Sequence, residues 1–127
     1  MTTVSILYWT KRMSPDALFS FTKKHRGRAE AAVRIALQNQ EYKLLPITLD
    51  ITTPDDAFVI LNRGDSPLGS PENQAWLRTN GVGHTGMVPG DLVFILGQLY
   101  VCLVEGWGTI YCGADFVERY GSLEFVL

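Results

Sequence analysis

Apolar and polar positions change period several times along the chain, and each change marks an element. Val4-Ser5-Ile6-Leu7-Tyr8-Trp9 is dense in β-forming side chains and predicts a strand. Ser14-Pro15-Asp16 then supplies a cap, a first-turn proline and an acid for the helix dipole. The helix it predicts carries Leu18, Phe19 and Phe21 and ends near His25 to Gly27. Ala32, Ile35, Ala36 and Asn39 follow helical spacing and place a second helix over Arg28 to Asn39. From Tyr42 to Ile51, Leu45, Ile47, Leu49 and Ile51 alternate with Pro46, Thr48 and Asp50, the period of a half-buried strand, with Pro46 pointing to an edge or a bulge.

Thr53-Pro54-Asp55-Asp56 repeats the cap pattern and predicts a third helix, with Phe58 and Leu61 as its apolar stripe and Gly64 as its end. Asp65 to Gly86 reads as a long irregular loop with a short turn of helix over Asn73 to Leu77. Loops of that length in a compact domain are usually functional or mobile, so this one and its Trp76 count as a candidate binding surface. Val88-Pro89-Gly90-Asp91 is a turn before two apolar runs, Leu92–Leu96 and Leu99–Val104, which Gly97-Gln98 joins into a hairpin. A strand over Trp107 to Cys112, a short helix over Ala114 to Tyr120 and a strand over Ser122 to Leu127 complete the order β-α-α-β-α-loop-β-β-β-α-β. The fold expected is α+β, a small and mostly antiparallel sheet with two or three helices, in one domain over residues 1–127.

Composition narrows the setting. With 46% hydrophobic and 19% charged residues, the 127-residue chain resembles an ordinary globular protein. No apolar run approaches the roughly 20 residues of a membrane span. The opening residues lack a signal-peptide layout, so the cytoplasm is the expected compartment and no membrane partner is expected. Cys102 and Cys112, in neighbouring predicted strands, are expected to be reduced. Neither cysteine nor histidine spacing suggests a metal site, and no cofactor is expected. Residues 1–40 carry seven basic and two acidic side chains, whereas residues 41–127 carry four basic and eleven acidic ones. Such polarity can orient a charged partner. Lys23, Lys24, Arg26 and Arg28 are the densest cationic group. They suit either a helix C-terminus or a phosphate-bearing partner such as a nucleic acid.

Candidate chemistry collects around the hairpin. His84 stands among Gly81, Gly83 and Gly86, on what reads as an exposed flexible loop. Gly90-Asp91 has a structural account as turn chemistry. With Glu105, at the exit of the second hairpin strand, His84 and Asp91 are the only acid/base set in this stretch. Thr85 and Trp107 complete the rim on which a ligand could sit.

From about Arg28 to Cys112 the chain resembles the YodL-like group of uncharacterised bacteriophage and plasmid proteins. Three stretches carry the resemblance: Glu30 to Tyr42 (EAAVRIALQNQEY), Asp55 to Asn62 (DDAFVILN) and His84 to Trp107 (HTGMVPGDLVFILGQLYVCLVEGW). Gly86 and Val88 stand where members of the group tend to have Ser, while Thr85 keeps a hydroxyl. The resemblance implies a small protein encoded on a mobile element and acting on host machinery. It implies no chemistry. The leading expectation is therefore a non-enzymatic binding protein or inhibitor of a host defence or regulatory protein. A nucleic-acid module using residues 23–28 is the second, against which the sequence pI of about 5.6 stands. A small hydrolase or transferase using His84 and Glu105 is the third. Oligomeric state is not legible, although a Ser122–Leu127 edge strand could pair between subunits.

Overall fold

The computed structural model describes residues 4–11, 21–22 and 26–110. Among them five strands and three α-helices form an α+β fold: β1 (Val4–Trp9), α1 (Arg26–Gln38), β2 (Tyr42–Leu44), α2 (Pro54–Leu61), α3 (Pro71–Thr79), β3 (Leu92–Ile95), β4 (Gln98–Cys102) and β5 (Trp107–Ile110). The strands make one antiparallel sheet in the order β2-β1-β3-β4-β5. β1 lies between the edge strand β2 and the central strand β3, pairing Val4 with Ile95 and Leu7 with Leu92 on one side and Trp9 with Tyr42 on the other.

Both faces of the sheet are covered. Val4, Ile6, Tyr8, Val93, Ile95 and Cys102 pack with Ala57, Leu61, Leu68, Leu77, Val82 and Met87 from the α2–α3 side. Leu7, Leu92, Leu99, Val101 and Ile110 pack on the opposite face with Phe21 and with Ala29, Val33, Ala36 and Leu37 of α1. A strand buried on both faces has no polar side to show, which is why β3 reads as a continuous apolar run and β1 as one broken only by Ser5.

Several expectations need correcting. Helix α1 begins at Arg26, so Arg26 and Arg28 stand in its first turn. Within Tyr42–Ile51 only Tyr42–Leu44 is strand. The Leu45 N–H still reaches the Ile6 carbonyl at 2.9 Å. Pro46 has no N–H to continue the ladder. Leu45, Leu49 and Ile51 remain buried while Thr48 and Asp50 are exposed, so the alternation reports burial without a ladder. Helix α2 ends at Leu61 with Asn62 as its C-cap, short of Gly64. It buries Ala57 and Leu61, and Phe58 faces outward.

The long irregular loop is largely ordered. Ser66-Pro67 and Ser70-Pro71 use the same cap code as Thr53-Pro54. The Ser66 hydroxyl accepts from the Leu68 N–H and begins a 3-10 turn over Pro67–Gly69. The Ser70 hydroxyl accepts from the Asn73 N–H and begins α3. The hairpin turn is Leu96-Gly97, one residue earlier than expected. Both have positive φ (52° and 75°), as in the turns that match strand twist, and Gln98 becomes the first residue of β4. The expected helix over 14–25, the expected elements after 112 and Cys112 itself lie outside the described residues.

Candidate functional site

Val88-Pro89-Gly90-Asp91 sets the geometry. The Asp91 N–H closes the turn on the Val88 carbonyl at 3.1 Å, with Pro89 second and Gly90 third at φ 100°, the arrangement of a type II turn. The Gly90 N–H then donates to the Cys102 carbonyl and the Cys102 N–H to the Asp91 carbonyl. Two residues thus oppose one, a bulge that ends the β3–β4 ladder and turns the Asp91 side chain inward.

Asp91 is fully buried, and its carboxylate accepts three N–H groups. The Trp9 backbone N–H reaches Oδ1 at 2.9 Å. The Val88 N–H (2.9 Å) and His84 Nε2 (2.8 Å) reach Oδ2. Burial raises the Asp91 carboxyl above its ordinary range. The His84 hydrogen bond and charge, then the two backbone donors, pull it back. An ionised Asp91 can only accept, so in the neutral imidazole paired with it the hydrogen sits on Nε2 and the lone pair on Nδ1. Nδ1 has no partner among the described residues.

Three further contacts fix the loop that carries His84. The Tyr8 ring stacks on the imidazole with centroids 4.6 Å apart, and its hydroxyl donates to the Thr85 carbonyl at 2.9 Å. Gln74 Nε2 donates to the Thr85 hydroxyl (2.9 Å) and to the Leu68 carbonyl (2.7 Å). Asn62 Nδ2 donates to the carbonyls of Met87 and Phe58. The flexible, exposed loop expected at His84 is thus a pinned one, and the imidazole side chain is only 23% exposed. Burial, then the Asp91 charge, then Cys102 push the Tyr8 hydroxyl well above its ordinary value, so it stays protonated and a donor. Burial, followed by the Asp91 charge, pushes the Cys102 thiol up to about 12, which makes it a small buried apolar group.

The other candidate residues are spread around this cluster. Glu105 is exposed in the turn between β4 and β5 and makes no bond to His84 or Asp91. Trp107 is half-buried, and its indole N–H donates to Asp55 Oδ1 at 3.1 Å, tying β5 to α2. Trp76 is half-buried against the core. Arg28 is exposed at the start of α1, and Lys23 and Lys24 lie outside the described residues. Sequence reasoning missed Tyr8, Asn62 and Gln74. Tyr8 and Asn62 reach the loop from 77 and 25 residues away and Gln74 from 11, and none of these spacings leaves a local pattern. Among the described residues no group of three His, Cys, Asp or Glu side chains could hold a metal ion, and no helix is long and apolar enough to cross a membrane.

A second feature lies beside the first. Asp55, Phe58, Val59 and Asn62 recur at three- and four-residue spacing on the outward face of α2. One end of this stripe is tied to Trp107 through Asp55. The other end is tied to the His84 loop, where the Asn62 amide packs against Gly86 so closely that a Cβ has no room. Phe58 and Val59, 39% and 53% exposed, lie between the two ties.

No protein-family model matches the chain, and no curated protein matches it. No solved structure matches it either.

Proposed function

We propose that this chain is a small protein of the YodL-like, mobile-element kind that works in the host cytoplasm by binding a host protein, as an inhibitor or modulator of a defence or regulatory system. The observation that carries this reading is the exposed Phe58–Val59 pair on α2, held between Trp107 and the His84 loop. Large side chains of this kind are normally turned inward when a helix has a core to cover. A rigid, partly apolar stripe is what a protein partner can desolvate. Asp55 and Asp56 at the head of the helix are exposed beside it. The partner favoured by this chemistry presents an apolar surface bordered by Lys or Arg. The two stretches of the resemblance that contain Asp55–Asn62 and His84–Trp107 meet along this stripe, which supports treating them as one functional unit.

The test is affinity capture from host lysate with the wild-type chain and with a Phe58→Ser/Val59→Thr variant, read by mass spectrometry. Both positions are exposed, so the variant is expected to fold and to lose the captured protein. An identical captured set from both proteins overturns the reading.

A further inference from the structure

We propose that His84 is a general base at a site for hydrolysis of a neutral acyl compound, oriented by Asp91 and approached over the glycine-rich loop. The inference does not depend on the α2 surface, and either can fail without the other.

Three observations carry it. The first is the fixed tautomer. Asp91 takes the Nε2–H at 2.8 Å, and the stacked Tyr8 ring holds the plane of the imidazole. The lone pair on Nδ1 is left without a partner among the described residues on a side chain that retains solvent contact. A base held by a buried carboxylate is preorganised to accept a proton and to have the resulting cation stabilised. Neither Trp9 nor Val88 uses up that capacity, since each donates to Asp91 from the backbone.

The second is a supply of donors. The backbone N–H groups of Gly83, His84, Thr85 and Gly86 donate to nothing among the described residues. Backbone N–H groups on a pinned loop are the kind of donor that stabilises an oxyanion. A Cβ added at Gly83 would meet no atom within 4 Å, so the loop is open to close approach.

The third is charge. Among the described residues, the groups bonded to or stacked on His84, Thr85 and Asp91 come from Tyr8, Trp9, Gln74 and Val88, and none is a Lys or Arg. Arg63 is already paired with Asp65. No cation is therefore bonded here to meet a phosphate or carboxylate, and with the Asp91 carboxylate beside the base, neutral esters or thioesters are the class that fits.

In the step proposed, Nδ1 takes a proton from a water whose oxygen adds to the substrate carbonyl carbon. The carbonyl electron pair moves to oxygen, where loop N–H groups meet it. When the tetrahedral centre collapses, the bond to the leaving oxygen or sulfur breaks and the leaving atom takes the proton back from Nδ1. Water and ester become acid and alcohol, and the imidazole returns to its starting tautomer. His84 is the catalytic residue and Asp91 the positioning residue. The titratable groups packed around them are Tyr8, Tyr42 and Cys102, which all stay protonated near neutral pH.

p-Nitrophenyl acetate is the probe, with p-nitrophenyl phosphate as the anionic counterpart. Expected are acetate turnover that falls about a hundredfold in His84→Gln, the scale of a lost general base, and no phosphate turnover. Asp91→Asn is expected to lower kcat more than it raises KM and to move the pH profile, which a merely structural role would not do. Nitrogen chemical shifts of the wild-type imidazole provide a readout independent of any variant's folding, with hydrogen on Nε2 and none on Nδ1 at pH 8. Hydrolysis by the wild type no faster than by folded His84→Gln, hydrogen on Nδ1, or preferential phosphate turnover overturns the proposal.

Discussion

The Tyr8 hydroxyl donates to the Thr85 carbonyl across 77 residues of chain, and the same ring stacks on His84. One side chain from β1 therefore fixes both the Thr85 backbone and the His84 ring. Tyr8→Phe keeps the stack and removes only the hydrogen bond. It is expected to lower stability by about 1 kcal/mol, the usual worth of a neutral hydrogen bond, and to speed amide exchange in residues 83–87. Urea unfolding and hydrogen exchange measure the two effects.

Asp91 gathers three donors in a dry site, so its removal leaves buried N–H groups unpaired. Asp91→Ala is expected to cost about 3 kcal/mol or more in urea unfolding. Asp91→Asn is expected to cost less. Its carbonyl oxygen can still accept from Trp9, although its amide nitrogen then faces the Val88 N–H.

The pH dependence of Asp91 has a definite sign. Burial raises its value in the folded state above the ordinary 3.8, so the folded chain holds this proton more tightly than the unfolded chain. The stabilisation is fully present below the unfolded value and is lost as pH rises through the raised folded value. Urea midpoints of wild type minus Asp91→Asn, followed from pH 3.5 to pH 7, are expected to decline with rising pH. A difference that grows over that window would contradict the raised value.

Gly86 and Asn62 touch, and a larger side chain at position 86 must displace the Asn62 amide. Gly86→Ser is therefore expected to lose about 1–2 kcal/mol, the two Asn62 hydrogen bonds. In the Asn62→Ala background the same substitution is expected to be nearly neutral. A double-mutant cycle on urea stability gives the coupling, and additive effects would show that the contact does not matter.

Leu96 stands at the hairpin tip with φ 52° and is 76% exposed. Asn tolerates that backbone better than Leu. Leu96→Asn is expected to raise stability by about 0.5–1 kcal/mol, seen as a higher urea midpoint.

The sequence read well where the causes are local. β1, the Thr53-Pro54 helix start and the two hairpin strands follow from β-formers, caps and turn glycines within a few residues. The caps at Ser66 and Ser70 were equally local and were obscured by the density of turn formers around them. The hairpin turn slipped by one residue because Leu is an unusual occupant of a left-handed position.

What the sequence determined by itself was the periodicity that assigns elements to faces, the turn chemistry of Gly90-Asp91 and the charge polarity of the chain. Tertiary structure decided the rest. It turned a histidine expected on an exposed loop into one bonded to Asp91 and stacked on Tyr8, because Asp91 was swung inward by a bulge and Tyr8 was brought alongside by sheet pairing. It also turned Phe58 outward, because a helix of eight residues laid flat on a sheet can bury only one narrow stripe, and Ala57 and Leu61 occupy it. Hydrogen bonds between residues 25 to 77 positions apart depend on how strands and helices meet, and no local pattern of residue types encodes that.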